Sequence, residues 1–266
     1  MRIGAAILRA ISREPGRDDY SRETEKKAVG NELTLLRREF PKFSRLVKGA
    51  RVVDFGCGTG RQSVALVREE GCYVCGIDSN ERSLEEAKQL AFDNGLGERD
   101  IAFVGCPTRE MMHAFDLVIS KDAMEHYPDP IAILGEMRNL IHENGKILIT
   151  FGPPWFAPYG SHMHFFCKVP WLNIIFSEQS VMAVRLLYRS DGATRYEDVE
   201  SGLNKMTVSK FEKIVAQRGF VIDYMTYSCV KGQNWLSRLP YLRELFINQV
   251  SCILALQSNK AAKPIQ

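Results

Sequence analysis

Between Val52 and Gly60 the chain reads Val52-Val53-Asp54-Phe55-Gly56-Cys57-Gly58-Thr59-Gly60, and no other stretch limits its possible folds so tightly. An apolar run of strand length is followed by glycine at every second position. Val64, Ala65 and Val67 then recur at helical spacing. Glycine permits positive φ and lets a ligand approach the backbone closely. A strand–turn–helix of this kind sets its turn at the carboxyl end of a strand, the edge where open α/β sheets bind ligands. Three alternating glycines exceed what a tight turn alone requires.

The flanking text keeps the same rhythm. Strands are predicted at 51–55, 73–77, 101–104, 115–120 and 146–151, and helices at 61–70, 81–94 and 129–142. Ser79 or Asn80 caps the second helix. Pro130 stands in the first turn of the third, and Asn144-Gly145 just past its end. After an interruption from Gly152 to about Lys205, a helix is expected at 207–217, stopping at Gly219, with strands at 220–227 and 249–256. This pattern predicts an α/β fold: a doubly wound, Rossmann-like, seven-stranded, mostly parallel sheet with helices on both faces and a lid insertion. The expected divisions are N-terminal helices over 1–47, broken at Pro41, a ligand-binding core over 48–152, the insertion over 153–204, the rest of the core over 205–257, and a frayed tail over 258–266.

Composition excludes several other classes. The 266 residues are 45% hydrophobic and 25% charged, which rules out a disordered or collagenous chain. A net charge of +3 gives no electrostatic footprint for a nucleic-acid partner. Seven scattered cysteines form no disulfide framework, and a reducing cytoplasm suits them. Cys72 and Cys75 fall inside an expected strand with no second pair at ligand spacing, so they read as small core residues, and no metal site is expected. Ile3 to Ile11 is apolar but interrupted by Arg9, without a cleavage pattern.

The glycine loop itself selects between ligands. A dinucleotide fingerprint needs a glycine or alanine at the sixth position, but counting from Gly56 gives Arg61 and from Gly58 gives Ser63. A nucleoside ligand without a pyrophosphate, its amino-acid end resting on the loop, is the alternative. The segment resembles motif I of class I S-adenosylmethionine-dependent methyltransferases. Asp78 ends the second strand, 22 residues beyond Gly56, where that family holds both ribose hydroxyls with a carboxylate. Further matches follow in order: Phe115-Asp116-Leu117-Val118, then Glu125-His126 with Pro128-Asp129-Pro130, then Asn144-Gly145-Lys146-Ile147-Leu148-Ile149. The resemblance covers about 48–152 and implies S-adenosylmethionine as cofactor. The residues it assigns to that cofactor are Asp54, Gly56, Cys57, Gly58, Gly60, Asp78, Ser79, Cys106 and Ser120. Asp54 is expected to brace the loop by accepting from its amides. The sequence departs from the family at Cys106-Pro107, where an acidic residue often accepts from the adenine amino group.

The insertion is the expected acceptor side. No charge occurs between Lys146 and Lys168, and the next after Lys168 is Glu178. Pro153, Pro154, Pro158, Gly152 and Gly160 exclude a membrane span there. The stretch from Phe151 to Phe176 holds 8 aromatic residues in 26, which suit either a water-excluding lid or a small core under a long loop. The apolar text at 169–190 predicts a helix, with Arg185, Arg189 and Arg195 on its solvated side and a peripheral lipid contact as a further option. Methyl transfer to oxygen needs a base, and histidine titrates in the right range. His126, His162 and His164 are the candidates, each with the simpler role of bonding a backbone carbonyl; Glu125 would orient a histidine or cap a turn. The reading is a methyltransferase acting on a small-molecule or glycan- or lipid-linked acceptor, with oxygen favoured. Its rivals are a non-catalytic cofactor-binding protein and a nicotinamide-dependent oxidoreductase.

Overall fold

The computed structural model describes residues 3–15, 31–199 and 202–257. Most of the charged stretch over 12–32 and the tail expected to fray lie outside the described residues. Among the described residues three helices come first: α1 (Ile3–Ile11), α2 (Thr34–Glu39) and α3 (Phe43–Val47), the last two separated at Pro41. Then follow β1 (Arg51–Phe55), α4 (Arg61–Ala65, continuing as a π-helical turn over Leu66–Glu70), β2 (Tyr73–Ile77), α5 (Glu81–Asp93), β3 (Ile101–Val104), β4 (Phe115–Lys121), α6 (Pro130–Leu140) and β5 (Ile141–Phe151). The remainder holds α7 (Leu172–Ile175), α8 (Glu178–Arg185), α9 (Val208–Gln217), β6 (Phe220–Cys229) and β7 (Ile247–Leu256).

One seven-stranded sheet runs in the order β3-β2-β1-β4-β5-β7-β6. Every pairing is parallel except those of β7, which runs antiparallel to both β5 and β6. The chain winds outward from β1 through β2 to β3, then returns to β4 on the other side of β1. This switch opens a crevice at the carboxyl ends of β1 and β4. Val53, Val118, Ile147 and Phe211 belong to the core on one face of the sheet, and Val52, Leu117, Leu148 and Leu36 to the core on the other. The near-continuous burial of β1 and β4 is what a parallel sheet covered on both sides demands.

Local chemistry sets the helix starts. Asn80, rather than Ser79, caps α5 by accepting from the Ser83 amide at 3.1 Å. Asp129 caps α6 through the amides of Ile131 and Ala132, with Pro130 at the first helical position, where its missing N–H costs nothing. The end of α6 differs from expectation. Asn144-Gly145 does not cap the helix: β5 already begins at Ile141, which pairs with Phe115 and is fully buried. Gly145 lies in the irregular start of that strand, where a Cβ would stand 2.7 Å from Ile141 Cβ.

The insertion builds its own core. Met163, Phe166, Leu172, Val181, Met182 and Tyr196 are buried together, with Ala5 and Leu8 of α1 among them. Trp155 meets Tyr196 edge-on at 4.9 Å, and Phe166 stacks on Tyr188 at 5.5 Å. Four of the eight aromatic residues over 151–176, namely Phe166 in this core with Trp155, Phe165 and Phe176 packed against it, therefore hold the insertion together. The single helix expected over 169–190 is two, α7 and α8, broken at Phe176-Ser177, where Ser177 caps α8. Arg185 is not on a solvated side. It is 5% exposed and forks onto both carboxylate oxygens of Asp191, a bidentate pair that holds the Asp191 carboxyl down to about 2.

Candidate active site

The three glycines of the loop have different surroundings. All have positive φ, at 80° for Gly56, 51° for Gly58 and 73° for Gly60. A Cβ on Gly60 would stand 2.7 Å from Ala87 Cβ and 2.9 Å from the Phe103 ring, so Gly60 lets α5 and β3 close on the loop. A Cβ on Gly56 would reach Tyr127 Oη at 3.2 Å, whereas one on Gly58 would meet no atom within 4 Å. Gly58 thus faces open space, as a ligand-approach position should. The amides of Gly56 and Cys57 donate to the carbonyl of Ile77, and that of Gly58 to Asp78 Oδ2 at 2.8 Å, which ties the loop to the end of β2.

Asp54 does brace this region, but not through loop amides. Its carboxylate accepts from Gln62 Nε2 at 2.7 Å and Ser63 Oγ at 2.6 Å, because the β1 register points it beneath α4. Burial pushes this carboxyl up to about 6, opposed by those two hydrogen bonds. Asp78 also accepts from the Asn80 amide, at 2.9 Å. A carboxylate has about four acceptor positions, so two remain for ligand hydroxyls. The Cys57 thiol is buried, and burial raises its pKa strongly. Ser79 and Cys106 are exposed at the ends of β2 and β3.

The turn after β4 carries the polar chemistry. Tyr127 and Ala123 both approach Gly56, which brings this turn onto the glycine loop. Ser120 is fully buried and shares a hydrogen bond with Tyr127 Oη at 2.9 Å, and Tyr127 in turn donates to the Phe55 carbonyl. Glu125 is 2% exposed; its Oε1 accepts from the Gly152 amide at 2.9 Å, and its Oε2 is buried without a partner. Burial pushes the Glu125 carboxyl up to about 8. Glu125 therefore fastens the start of the lid and does not orient a histidine.

The structure brings two of the three candidate histidines together. His126 and His162 meet edge to face with centroids 5.4 Å apart. Nδ1 of His126 lies 2.8 Å from the Gly202 carbonyl oxygen, which can only accept, so Nδ1 carries a proton and, in the neutral ring, the lone pair is on Nε2. His162 Nε2 lies 3.4 Å from the Pro153 carbonyl. Burial, reinforced by His126, drives the His162 pKa down to about 4 and keeps that ring neutral. His164 meets Tyr159 edge-on, with ring centroids 4.8 Å apart.

Other groups at this edge escaped the sequence reading. Asn204 donates to the carbonyls of Met124 and Tyr127. Glu32 joins Arg61 at 2.8 Å and accepts from Lys121 through its carbonyl. Neither residue stands in a motif, and only the folded lid and the α2 entry bring them here. Among the described residues no three His, Cys, Asp or Glu side chains converge as a metal site.

Known proteins resemble this chain in sequence and in fold. A family profile described as a methyltransferase domain matches residues 46–152. The ubiquinone biosynthesis O-methyltransferase of Neisseria meningitidis serogroup C (strain 053442) is 32% identical over 124 residues, which are 45% of this chain and 51% of that protein. The chain thus spans about half the length of the curated relatives it matches. A solved S-adenosylmethionine-dependent methyltransferase from Mesorhizobium loti superposes with a TM-score of 0.53 at 16% identity, covering 85% of this chain and 97% of the other. Phosphoethanolamine N-methyltransferase 2 of Haemonchus contortus, solved with S-adenosyl-L-methionine, superposes with a TM-score of 0.54 at 17% identity, covering 86% and 52%. At these identities the two structures speak to the fold alone.

Proposed function

We propose that this chain, with a class I methyltransferase fold and a methyltransferase domain over residues 46–152, moves a methyl group from S-adenosylmethionine to an oxygen of a small or mid-sized acceptor. The carrying observation is the His126 imidazole, its Nδ1 engaged by the Gly202 carbonyl and its Nε2 left as a base, on a turn that touches the glycine loop. The oxygen preference also draws support from the curated relatives, which are named as O-methyltransferases.

The residues present fit the cofactor. Gly58 leaves open the space that a side chain would occupy, and Asp78 keeps acceptor capacity after binding the amides of Gly58 and Asn80. Asp78 would hold the ribose hydroxyls, and Gly56 and Gly58 the amino-acid end. When bound, S-adenosylmethionine supplies a methyl group already activated on a sulfonium, so the protein's task is alignment and exclusion of water. His126 Nε2 would accept the proton that the acceptor hydroxyl gives up on methylation, the cofactor leaving as its neutral thioether. The imidazolium that forms keeps its Nδ1–H on the Gly202 carbonyl, and neutral His162 beside it adds no opposing charge.

The acceptor we favour is a metabolite or a lipid-linked glycan; the insertion also exposes Ile174, Ile175, Leu186 and Leu187. Among the described residues no helix is long and apolar enough to cross a membrane, and none of the seven cysteines is in a disulfide, in keeping with a reducing compartment such as the cytoplasm. Calorimetric titration with S-adenosylhomocysteine should release heat. A labelled-methyl assay over a panel of hydroxylated acceptors should give transfer that His126→Gln lowers by about 10²–10⁴-fold without weakening S-adenosylhomocysteine binding. Absence of binding would remove the cofactor assignment, and full activity in the variant would remove the base.

A further inference from the structure

Residues 202–204, where the lid returns to the core, close on the turn 124–127 from several directions. The Gly202 carbonyl accepts from His126 Nδ1 at 2.8 Å. The Asn204 amide donates to the Glu125 carbonyl at 3.0 Å, and Asn204 Nδ2 donates to the carbonyls of Met124 and Tyr127, both at 2.8 Å. Asn204 thus grips the carbonyls of the three residues that surround and include the His126 peptide. The approach is close enough that a Cβ on Gly202, whose φ is +64°, would stand 3.1 Å from the His126 carbonyl oxygen. The exit segment is itself anchored to the lid and to α9: Lys205 pairs with Glu178 of α8 at 2.8 Å and lies 5.8 Å from the ring centroids of Trp155 and Tyr196, and the Asn204 carbonyl accepts from Lys210 Nζ at 2.7 Å.

We infer that Asn204 is a positioning residue that sets the tautomer of His126: it fixes the turn on which His126 rides against the exit segment that carries the Gly202 carbonyl. This rests on the reading of His126 as the base. An imidazole has one N–H when neutral, and the nitrogen that donates decides which nitrogen can accept. With Gly202 seated, the donor is Nδ1 and the basic lone pair is on Nε2. With the exit segment displaced, nothing in the turn holds that choice. The tautomer with its lone pair on Nε2 is therefore fully populated only while the lid is seated, so lid seating prepares the base before proton abstraction.

The test is imidazole 15N NMR of the full chain, labelled at histidine and held at pH 8.5 so that unperturbed imidazoles are neutral, with His126 assigned by its loss in His126→Gln. In the unsubstituted protein His126 should carry its proton on Nδ1. Asn204→Asp keeps the shape of the side chain but sets a third acceptor against the Met124 and Tyr127 carbonyls, and it should convert His126 to a mixture with substantial Nε2–H. Gly202→Ala presses on the same junction from the other side and should do likewise, which covers the case in which Asn204→Asp fails to fold. Both variants should bind S-adenosylhomocysteine within about twofold of the parent, because Gly58 and Asp78 are untouched. Once an acceptor is in hand, kcat should fall about tenfold with the KM for S-adenosylmethionine unchanged. Retention of Nδ1–H in both variants overturns the inference, even if the protein proves to be a His126-dependent transferase. Loss of Nδ1–H supports it even if His126→Gln leaves transfer intact, an outcome that would defeat the base assignment alone.

Discussion

Oδ2 of Asp78 lies 2.8 Å from the amide nitrogen of Gly58, so the residue that ends β2 is hydrogen-bonded to the middle glycine of the loop that ends β1. One carboxylate shapes the loop and keeps lone pairs for a ligand. Asp78→Ala should therefore weaken S-adenosylhomocysteine binding by at least about ten- to hundredfold, the range for lost hydrogen bonds to a charged acceptor, and should also lower the thermal midpoint, because the amides of Gly58 and Asn80 lose their acceptor. Calorimetric titration beside a melting curve separates the two effects. An unchanged Kd would show that the ribose lies elsewhere.

Two neighbouring glycines should respond oppositely to the same substitution. Gly58→Ala places its methyl group in open space at φ +51°, at a backbone cost of about 1–2 kcal/mol, so the protein should fold and lose cofactor affinity. Gly60→Ala must push aside Ala87 and Phe103, adding overpacking of about 1–3 kcal/mol to a similar backbone cost, so it should show the larger fall in stability. Paired denaturant melts and S-adenosylhomocysteine titrations measure both.

Glu125 should make the fold lose stability as pH rises. Its carboxyl titrates at about 8 when folded, against an ordinary value of 4.5. Between those values the folded state holds a proton that the unfolded state has released, so stability declines with rising pH across that window. In Glu125→Gln the new amide still accepts from Gly152 but does not titrate. The variant should gain on the parent steadily from pH 5 to pH 8, as followed by Tm; parallel curves would mean that Glu125 is ionised in the folded protein.

His162 should act in the opposite direction. Its folded value is about 4 against an ordinary 6.5, so below pH 6.5 the unfolded state binds the extra proton and stability falls as pH drops toward 4. His162 has φ +56°, which Asn tolerates better than most residues. His162→Asn should therefore fold and show a shallower loss between pH 6.5 and 4. Equal slopes would argue against a buried neutral ring.

The cofactor half was legible because its constraints are local. Positive φ at Gly56, Gly58 and Gly60 demands glycine, and β1 and β4 read as apolar runs because both sheet faces are covered. The errors fall where a short-range signal had two meanings. Asn144-Gly145 reads equally as a helix end or as an irregular strand start, and the Ile141–Phe115 pairing decided it. Arg185 looked solvated until Asp191, six residues on, turned back to meet it. In and beside the insertion, three histidines were visible but the contacts that single out His126 were not. They come from Gly202 and Asn204, 76 and 78 positions beyond His126 and without a periodic signature.

The amide of Gly152, where the match to the methyltransferase domain ends, is held by Glu125, while Asn204 grips the same turn at the other end of the insertion. Entry and exit of some fifty intervening residues are thus stapled side by side to four consecutive positions of the core. The arrangement is that of a cassette with a paired socket. Residues 153–201 can diverge, or be grafted from a relative, without disturbing the register of β5 against β7, provided that Glu125, Gly152, Gly202 and Asn204 stay with the socket and the replacement still packs on Ala5 and Leu8 of α1. The insertion can then change while the glycine loop and Asp78 stay as they are.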